Sequence, residues 1–265
     1  MSEASRLWPH ALVPVRDESE WDDLWRPQRW ASEPAAPHEH TLVLASLLAV
    51  LVYANLIVNE VLAPPWYVPF NVAVMAIGVF IARAAGVTWI SIGFRTDRLA
   101  RGVGLGMVFG AVAALAIIAL ALVPAFDEVF ADERVTDRSF ALTTYHAFIR
   151  IPLGTALYEE VMFRGLLFGI LARRYSFLTA ALGSSVLFGL WHVLPTIDTT
   201  QTNPAADLFG ADFVTVLLGV AATTVAGLVF VWLRGFGRSI ATPVIVHLAF
   251  NSTAVLVAAL MVDVT

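Results

Sequence analysis

Three polar clusters interrupt segments of the chain that are otherwise apolar and long enough to cross a membrane. They are Glu159, Glu160 and Arg164, then Phe188 and His192, then His247 and Asn251. Placing an ionisable side chain in hydrocarbon costs several kcal/mol, so such a side chain faces the protein interior or a wet cavity. An ionisable group at bilayer depth is functional by default, and these residues are therefore the candidate site.

The spacing within each cluster predicts which side chains meet. Residues four apart share a face of a helix, whereas neighbours diverge by about 100°. Glu160 is therefore expected to pair with Arg164, and Glu159 to point in another direction. The same spacing places on one face Phe188 with His192, and His247 with Asn251. The two carboxylates are thus suited to different tasks, one held by the arginine and one open to a substrate.

This set of side chains matches the needs of hydrolysis. A carboxylate such as Glu159, in a poorly solvated cavity, is suited to take a proton from water as a general base. The imidazole of His192 can polarise a group or relay a proton, and the amide of Asn251 can donate to a developing oxyanion. The residues therefore indicate a water molecule activated for attack on a substrate.

The amino-acid composition indicates that these residues lie in a membrane protein. Apolar residues make up 58% of the 265 residues, charged residues make up 14%, and the mean hydropathy is +0.76. This balance predicts an all-α, polytopic membrane helical bundle. Runs of about 20 apolar residues predict seven transmembrane helices, with six to eight allowed by the boundaries. The predicted spans are 41–63, 67–90, 102–124, 143–170, 177–198, 212–233 and 239–262.

The distribution of arginine alone indicates how the chain is oriented across the membrane, because the chain has no lysine. Under the positive-inside rule the arginine-rich segments lie in the cytoplasm. We therefore expect a multi-pass protein of the bacterial plasma membrane, with its N-terminus in the cytoplasm and its C-terminus outside. The arginines expected inside are Arg6, Arg16, Arg26, Arg29, Arg83, Arg95, Arg98, Arg101, Arg173, Arg174, Arg234 and Arg238. The acids expected outside are Asp127, Glu128, Asp132, Glu133, Asp137, Asp198, Asp207 and Asp212.

We expect the chain to divide into three parts: a cytoplasmic tail over 1–40, N-terminal transmembrane helices over 41–140, and a catalytic transmembrane core over 141–265. The proline-rich tail is predicted to be mostly irregular, and a short interfacial helix built on Trp21, Leu24 and Trp25 is the alternative. The absence of cysteine excludes disulfides, thiolate metal ligands and a cysteine nucleophile. No basic patch suits nucleic acid, and no feature indicates an oligomeric state.

The three clusters resemble the motifs of a known family. Residues 159–164, 188–192 and 247–251 match EExxxR, FxxxH and HxxxN of the CAAX-protease and bacteriocin-processing family of intramembrane endopeptidases. The resemblance covers about residues 145–255. It implies an all-helical membrane fold whose helices enclose a cavity, and hydrolysis of a peptide bond inside that cavity. A peptide or membrane-protein segment and the lipid bilayer are then the expected partners, and only the eukaryotic relatives imply a prenylated substrate.

The resemblance also implies a role for each motif residue. Glu159 would activate water with the help of His192, and His247 and Asn251 would form the oxyanion site. Glu160 and Arg164 would stabilise the site. We expect Phe188 to pack and so position His192, and Gly165 to allow a close approach between helices.

Metal dependence is open at the level of sequence. The family is often described as metallopeptidases, yet the chain lacks an HExxH zinc motif. Glu159, His192 and His247 are the residues that would hold zinc, with one coordination position left open. We favour water activated by Glu159 without a metal cofactor.

Two other classes of protein remain alternatives. Intramembrane glutamate–arginine pairs and single histidines sometimes only join helices, as they would in a non-catalytic membrane partner such as an immunity-type scaffold. A proton-coupled transporter could use Glu159 and His192 as a relay. Transporters often contain an internal repeat, and this sequence shows none, so hydrolysis is the preferred interpretation.

Overall fold

The computed structural model describes residues 37–130, 139–202 and 212–262, and within these ranges all regular structure is helical. The tail with Trp21, Leu24, Trp25 and four of the arginines lies outside them, as do Asp132, Glu133, Asp137 and Asp207. The main helices are α1 (Pro37–Glu60), α2 (Tyr67–Ala84), α3 (Leu99–Ala121), α4 (Phe177–Trp191), α5 (Val193–Thr202), α6 (Asp212–Gly237) and α7 (Ala241–Val262). The expected all-α bundle is confirmed.

A further helical segment, here called the central helix, runs between α3 and α4 along the chain. It begins as the α-helix Phe140–Tyr145, continues with π-helical winding over His146–Leu157 and Glu160–Leu167, and ends as the α-helix Phe168–Leu171. Pro152 lies inside the first π-helical stretch and lacks the N–H of a regular helical ladder. The wider winding carries the helix past this proline without a break.

The second half of the central helix is enclosed by the other helices. Every residue from 158 to 172 is buried. Asn71 of α2 donates to the carbonyl oxygen of Gly154 at 2.9 Å, and α4, α6 and α7 pack around the remaining sides. The carboxylates of Glu159 and Glu160 therefore lie inside protein and not against lipid.

Six helical segments in the described chain are long and apolar enough to cross a membrane. They are Glu39–Glu60, Pro64–Ala84, Thr96–Ala121, Phe177–Thr200, Asp212–Gly237 and Ala241–Met261. The central helix corresponds to the predicted span 143–170 and lies among them. The architecture therefore agrees with the expected range of six to eight helices.

The predicted span 177–198 is not one continuous helix. The candidate span Phe177–Thr200 consists of α4 and α5, which meet at a turn on His192. Pro195 lies in the first turn of α5, where backbone N–H groups have no partner within the helix and proline is tolerated. Inside one continuous helix the same proline would remove a backbone hydrogen bond. The proline therefore accounts for the interruption, and the interruption places His192 at a helix end.

Helix α3 packs closely on α7, and on the turn that precedes it, through glycines spaced four apart. A Cβ atom on Gly102 would lie 2.6 Å from Cβ of Ser239, and one on Gly106 would lie 2.9 Å from Cβ of Ile245. A Cβ on Gly110 would lie 3.1 Å from Cβ of Ala249. Small residues let helix backbones approach closely, which favours association in membranes. This face of α3 fixes the helix that carries His247.

Three turns that carry arginines meet at one end of the bundle. Arg173 donates to the carbonyl oxygen of Ala85 at 3.0 Å, and Arg234 donates to the carbonyl oxygen of Ser91. The backbone N–H of Ile240 donates to the carbonyl oxygen of Gly93 at 3.0 Å. The turns after α2, after the central helix and after α6 therefore lie on the same side, as the positive-inside rule requires of cytoplasmic turns.

Candidate active site

Glu160 forms the anchored half of the site. Its Oε1 atom accepts a hydrogen bond from Nη1 of Arg164 at 3.1 Å and another from Nδ1 of His247 at 2.9 Å. All three side chains are buried, and Glu160 and Arg164 have no exposed surface. The Glu160–Arg164 pair expected from the spacing of four is present, and it extends to the last helix through His247.

Glu159 forms the other half, and both site histidines face it. Its Oε2 atom lies 4.0 Å from Nε2 of His192 and 3.9 Å from Nε2 of His247. These separations are too long for direct hydrogen bonds, but one water oxygen at about 2.8 Å from each of two groups can bridge them. The three side chains therefore surround a point suited to a small polar molecule.

The protonation of His192 follows from its neighbour. Its Nδ1 atom lies 2.8 Å from the carbonyl oxygen of Phe188, which can only accept a hydrogen bond. Nδ1 must therefore carry the proton, and in the neutral imidazole Nε2 presents a lone pair. That lone pair lies on the side of Glu159, where it can receive a proton from a bound water molecule.

The ring of His247 is oriented in the same way as that of His192, with Nδ1 bound to an acceptor, here the carboxylate of Glu160. The carboxylate of Glu160 accepts from Nδ1 of His247, so Nε2 is the atom that faces Glu159. A neutral His247 offers a lone pair there, whereas an imidazolium offers a second donor. As an imidazolium, His247 would donate to Glu160 through Nδ1 and into the cavity through Nε2.

Aromatic rings pack against the charged side chains of the site. The guanidinium carbon of Arg164 lies 3.8 Å from the ring centre of Phe188 and 5.0 Å from that of Phe230. Phe230 also stacks on the imidazole of His247, with ring centres 4.9 Å apart and planes at 18°. Phe188 contacts the ring of His192 edge-on at 4.5 Å, in line with the packing role expected of it. Charge in the site is thus sheltered by ring faces.

Phe230 was not among the residues selected from the sequence. It is one apolar residue within the apolar helix α6, and nothing in its type or spacing distinguishes it from its neighbours. Gly165 behaves as expected, because a Cβ atom there would lie 3.1 Å from Cγ2 of Ile92 and 3.2 Å from Cδ1 of Ile240.

Asn251 lies one turn after His247 on α7 and is half-buried. Among the residues that the structure describes, no hydrogen bond joins Asn251 to Glu159, Glu160 or the two site histidines. Its side chain is therefore on the correct helix for an oxyanion donor, and its approach to a substrate is a prediction and not an observed contact.

The donor set of Glu159, His192 and His247 has the chemistry of a catalytic zinc site. The Nδ1 contacts to a carbonyl and a carboxylate would orient both imidazoles for a metal. The spacing fits less well, because ligands at about 2.0 Å around tetrahedral zinc lie about 3.3 Å apart. The observed separations from Glu159 are 3.9 and 4.0 Å. Within the described residues no three His, Cys, Asp or Glu side chains are grouped closely enough to hold a metal ion.

Comparison with known proteins gives one match. Residues 141–253 match the family described as type II CAAX prenyl endopeptidase Rce1-like, which agrees with the family that the three motifs resemble. No curated protein and no solved structure matches the chain. The matched segment contains Glu159, Glu160, Arg164, Phe188, His192, His247 and Asn251, and it excludes helices α1 to α3.

Proposed function

We propose that this chain hydrolyses a peptide bond with water activated by Glu159 inside the helical bundle, because residues 141–253 match a family of type II CAAX prenyl endopeptidases. The observation that carries the proposal is the convergence of two imidazole Nε2 atoms on one carboxylate oxygen, at 4.0 and 3.9 Å. A peptide or a segment of a membrane protein is the proposed substrate. The protein has a multi-pass architecture, and its orientation with the arginine-bearing turns in the cytoplasm is part of the proposal.

Glu159 acts as the general base in this mechanism. Its carboxylate removes a proton from a water molecule held between Glu159 and His192, and the water oxygen attacks the carbonyl carbon of the scissile bond. A C–O bond forms and the carbonyl oxygen becomes an oxyanion. Collapse of this intermediate breaks the C–N bond, and the proton held by Glu159 passes to the leaving amine. His192 assists by accepting a hydrogen bond from the water at Nε2.

His247 and Asn251 are the proposed donors to the oxyanion. His247 already donates through Nδ1 to Glu160, so it donates through Nε2 only as an imidazolium. The carboxylate of Glu160 compensates that charge, and Arg164 neutralises Glu160 when His247 is neutral. The Glu160–Arg164 pair would thus hold His247 inside the protein with its Nε2 atom available to donate to the oxyanion.

The test compares membranes that contain the parent chain with membranes that contain Glu159→Gln. The amide retains the size of the side chain but cannot act as a base, so new protein N-termini produced by the parent should be absent from the variant. Glu60→Gln is the matched control, because Glu60 is exposed at the end of α1. Cleavage products that persist in Glu159→Gln would overturn the proposal.

The same pair of variants separates hydrolysis from proton transport. In liposomes a relay through Glu159 and His192 would carry protons across the bilayer without any peptide present. We expect no difference in proton flux between the parent and Glu159→Gln. Proton flux that depends on Glu159, without cleavage, would favour the transporter.

A further inference from the structure

The end of α4 beside His192 leaves a backbone acceptor that the helix itself cannot satisfy. In a continuous helix the carbonyl of Trp191 would accept from the N–H of residue 195, but Pro195 has no N–H. A buried carbonyl without a donor is costly, and more so at membrane depth, where no bulk water replaces the donor. The break at His192 therefore requires a donor from outside α4 and α5.

The carbonyl oxygens of Phe188 and His192, close to Trp191 in the chain, already have donors. The backbone N–H of His192 donates to Gly189 at 3.0 Å, three residues back, and not to Phe188. This leaves the carbonyl oxygen of Phe188 free to accept from Nδ1 of His192 at 2.8 Å. The carbonyl of His192 accepts from the N–H of Thr196 at 2.9 Å. The tautomer of His192 thus depends on the geometry of the helix end.

The missing donor comes from α1. Nδ2 of Asn55 donates to the carbonyl oxygen of Trp191 at 3.2 Å. The orientation of this amide is set in turn by Asn59, whose Nδ2 donates to Oδ1 of Asn55 at 2.7 Å. Because Oδ1 is the acceptor in that contact, Nδ2 is the group left for Trp191. The chain of contacts runs from Asn59 through Asn55 to the residue before His192.

We infer that Asn55 is a positioning residue for His192, acting through the carbonyl of Trp191. It lies outside residues 141–253, so the family match does not include it. Without its amide the helix end must rearrange to find another donor for Trp191. That rearrangement moves the Phe188 carbonyl relative to Nδ1 of His192 and loosens the imidazole that faces Glu159.

The first test measures rate and rests on the proposed function. Asn55→Leu keeps the approximate size of the side chain and removes the donor, and it should lower kcat by about 10–100-fold with KM changed less than about twofold. Asn55→Gln, which retains an amide, should restore activity to within about threefold of the parent. Tyr53→Leu is the control, because Tyr53 is 60% exposed on the same helix. Unchanged kcat in Asn55→Leu would contradict the inference.

The second test does not depend on cleavage. In the Glu159→Gln background, protein labelled with ¹⁵N-histidine should show His192 as the Nδ1-protonated tautomer, assigned among the six histidines by its loss in His192→Gln. Adding Asn55→Leu should broaden this signal or mix the tautomers, whereas adding Tyr53→Leu should leave it unchanged. An unaltered His192 signal in Asn55→Leu would overturn the inference. If only the proposed function were wrong, the His192 signal should still change in Asn55→Leu.

A double-mutant cycle identifies the route of the effect. Pro195→Ala supplies an N–H at the position from which a regular helix reaches Trp191. In that background Asn55→Leu should perturb the His192 signal less than it does in the parent, because the carbonyl has a second donor. Equal perturbation in both backgrounds would mean that Asn55 acts elsewhere and would contradict the inference.

Discussion

His247 donates to Glu160 at 2.9 Å through Nδ1, and this contact joins the central helix to α7. The oxygen that accepts it also accepts from Arg164 at 3.1 Å. One carboxylate oxygen therefore holds a cation and an imidazole at once, and both are buried. It follows that the position of His247 depends on Glu160 and Arg164 before any substrate arrives.

Removal of the arginine is the most direct test of this arrangement. Arg164→Ala strands Glu160 as a buried charge and should lower the free energy of unfolding by about 3–5 kcal/mol, along with activity. Thermal unfolding in detergent measures the change. Arg95→Ala is the control, because its ion pair with Asp97 at 2.7 Å is at the surface, where such pairs contribute little to stability. Equal stability of the Arg164 variant and the parent would exclude a structural role for the pair.

Loss of either proposed oxyanion donor should slow turnover without abolishing folding. His247→Ala and Asn251→Ala should each lower kcat by about 10²–10³-fold, the usual effect of removing one such donor. Phe250→Leu, at an exposed position of the same helix, should have no effect on kcat. A fully active Asn251→Ala would remove Asn251 from the site and leave the donor role to His247 alone.

Metal content distinguishes the two mechanisms left open by the sequence. If Glu159 activates water alone, purified active protein should contain far less than one metal ion per chain, and a chelator should not change kcat. Elemental analysis of the active fraction measures this directly. Stoichiometric zinc that is lost in His192→Ala would establish the metal mechanism and overturn our preference.

Orientation can be read by labelling single cysteines, because the native chain has none. A cysteine at position 174 should react only with reagent that reaches the cytoplasm, and one at position 265 only with reagent outside. The same labelling at positions before residue 40 should report the cytoplasm. Labelling of residue 174 from outside would reverse the proposed topology.

The close packing of α3 on α7 predicts a sharp difference between two glycines on one helix. Gly106→Val should reduce stability by about 1–3 kcal/mol, because its Cβ would meet Ile245 at 2.9 Å. Gly104→Val should be nearly neutral, because nothing lies within 4 Å of a Cβ at that position. Thermal unfolding of both variants in detergent measures the contrast, and equal losses would contradict the close packing of α3 on α7.

The sequence predicted the parts of the site that depend on spacing along one helix. Glu160 and Arg164 pair because they are four apart, and hydropathy located the helices that carry His192 and His247. It did not predict Phe230 or Asn55, because their roles depend on contacts with residues far away in the chain. The sequence contains Pro195, but the effect of this proline on His192 depends on which side chain donates a hydrogen bond to the carbonyl oxygen of Trp191.

The glycine face of α3 also limits which part of this chain can be moved to another protein. Residues 141–253 carry every motif, yet α7 rests on Gly102, Gly106 and Gly110, which precede that segment. A chimera that received only the motif-bearing segment would contain the reactive groups, while the register of the helix bearing His247 would be set by the recipient. The transferable unit of this protein is therefore larger than the segment that matches the family model.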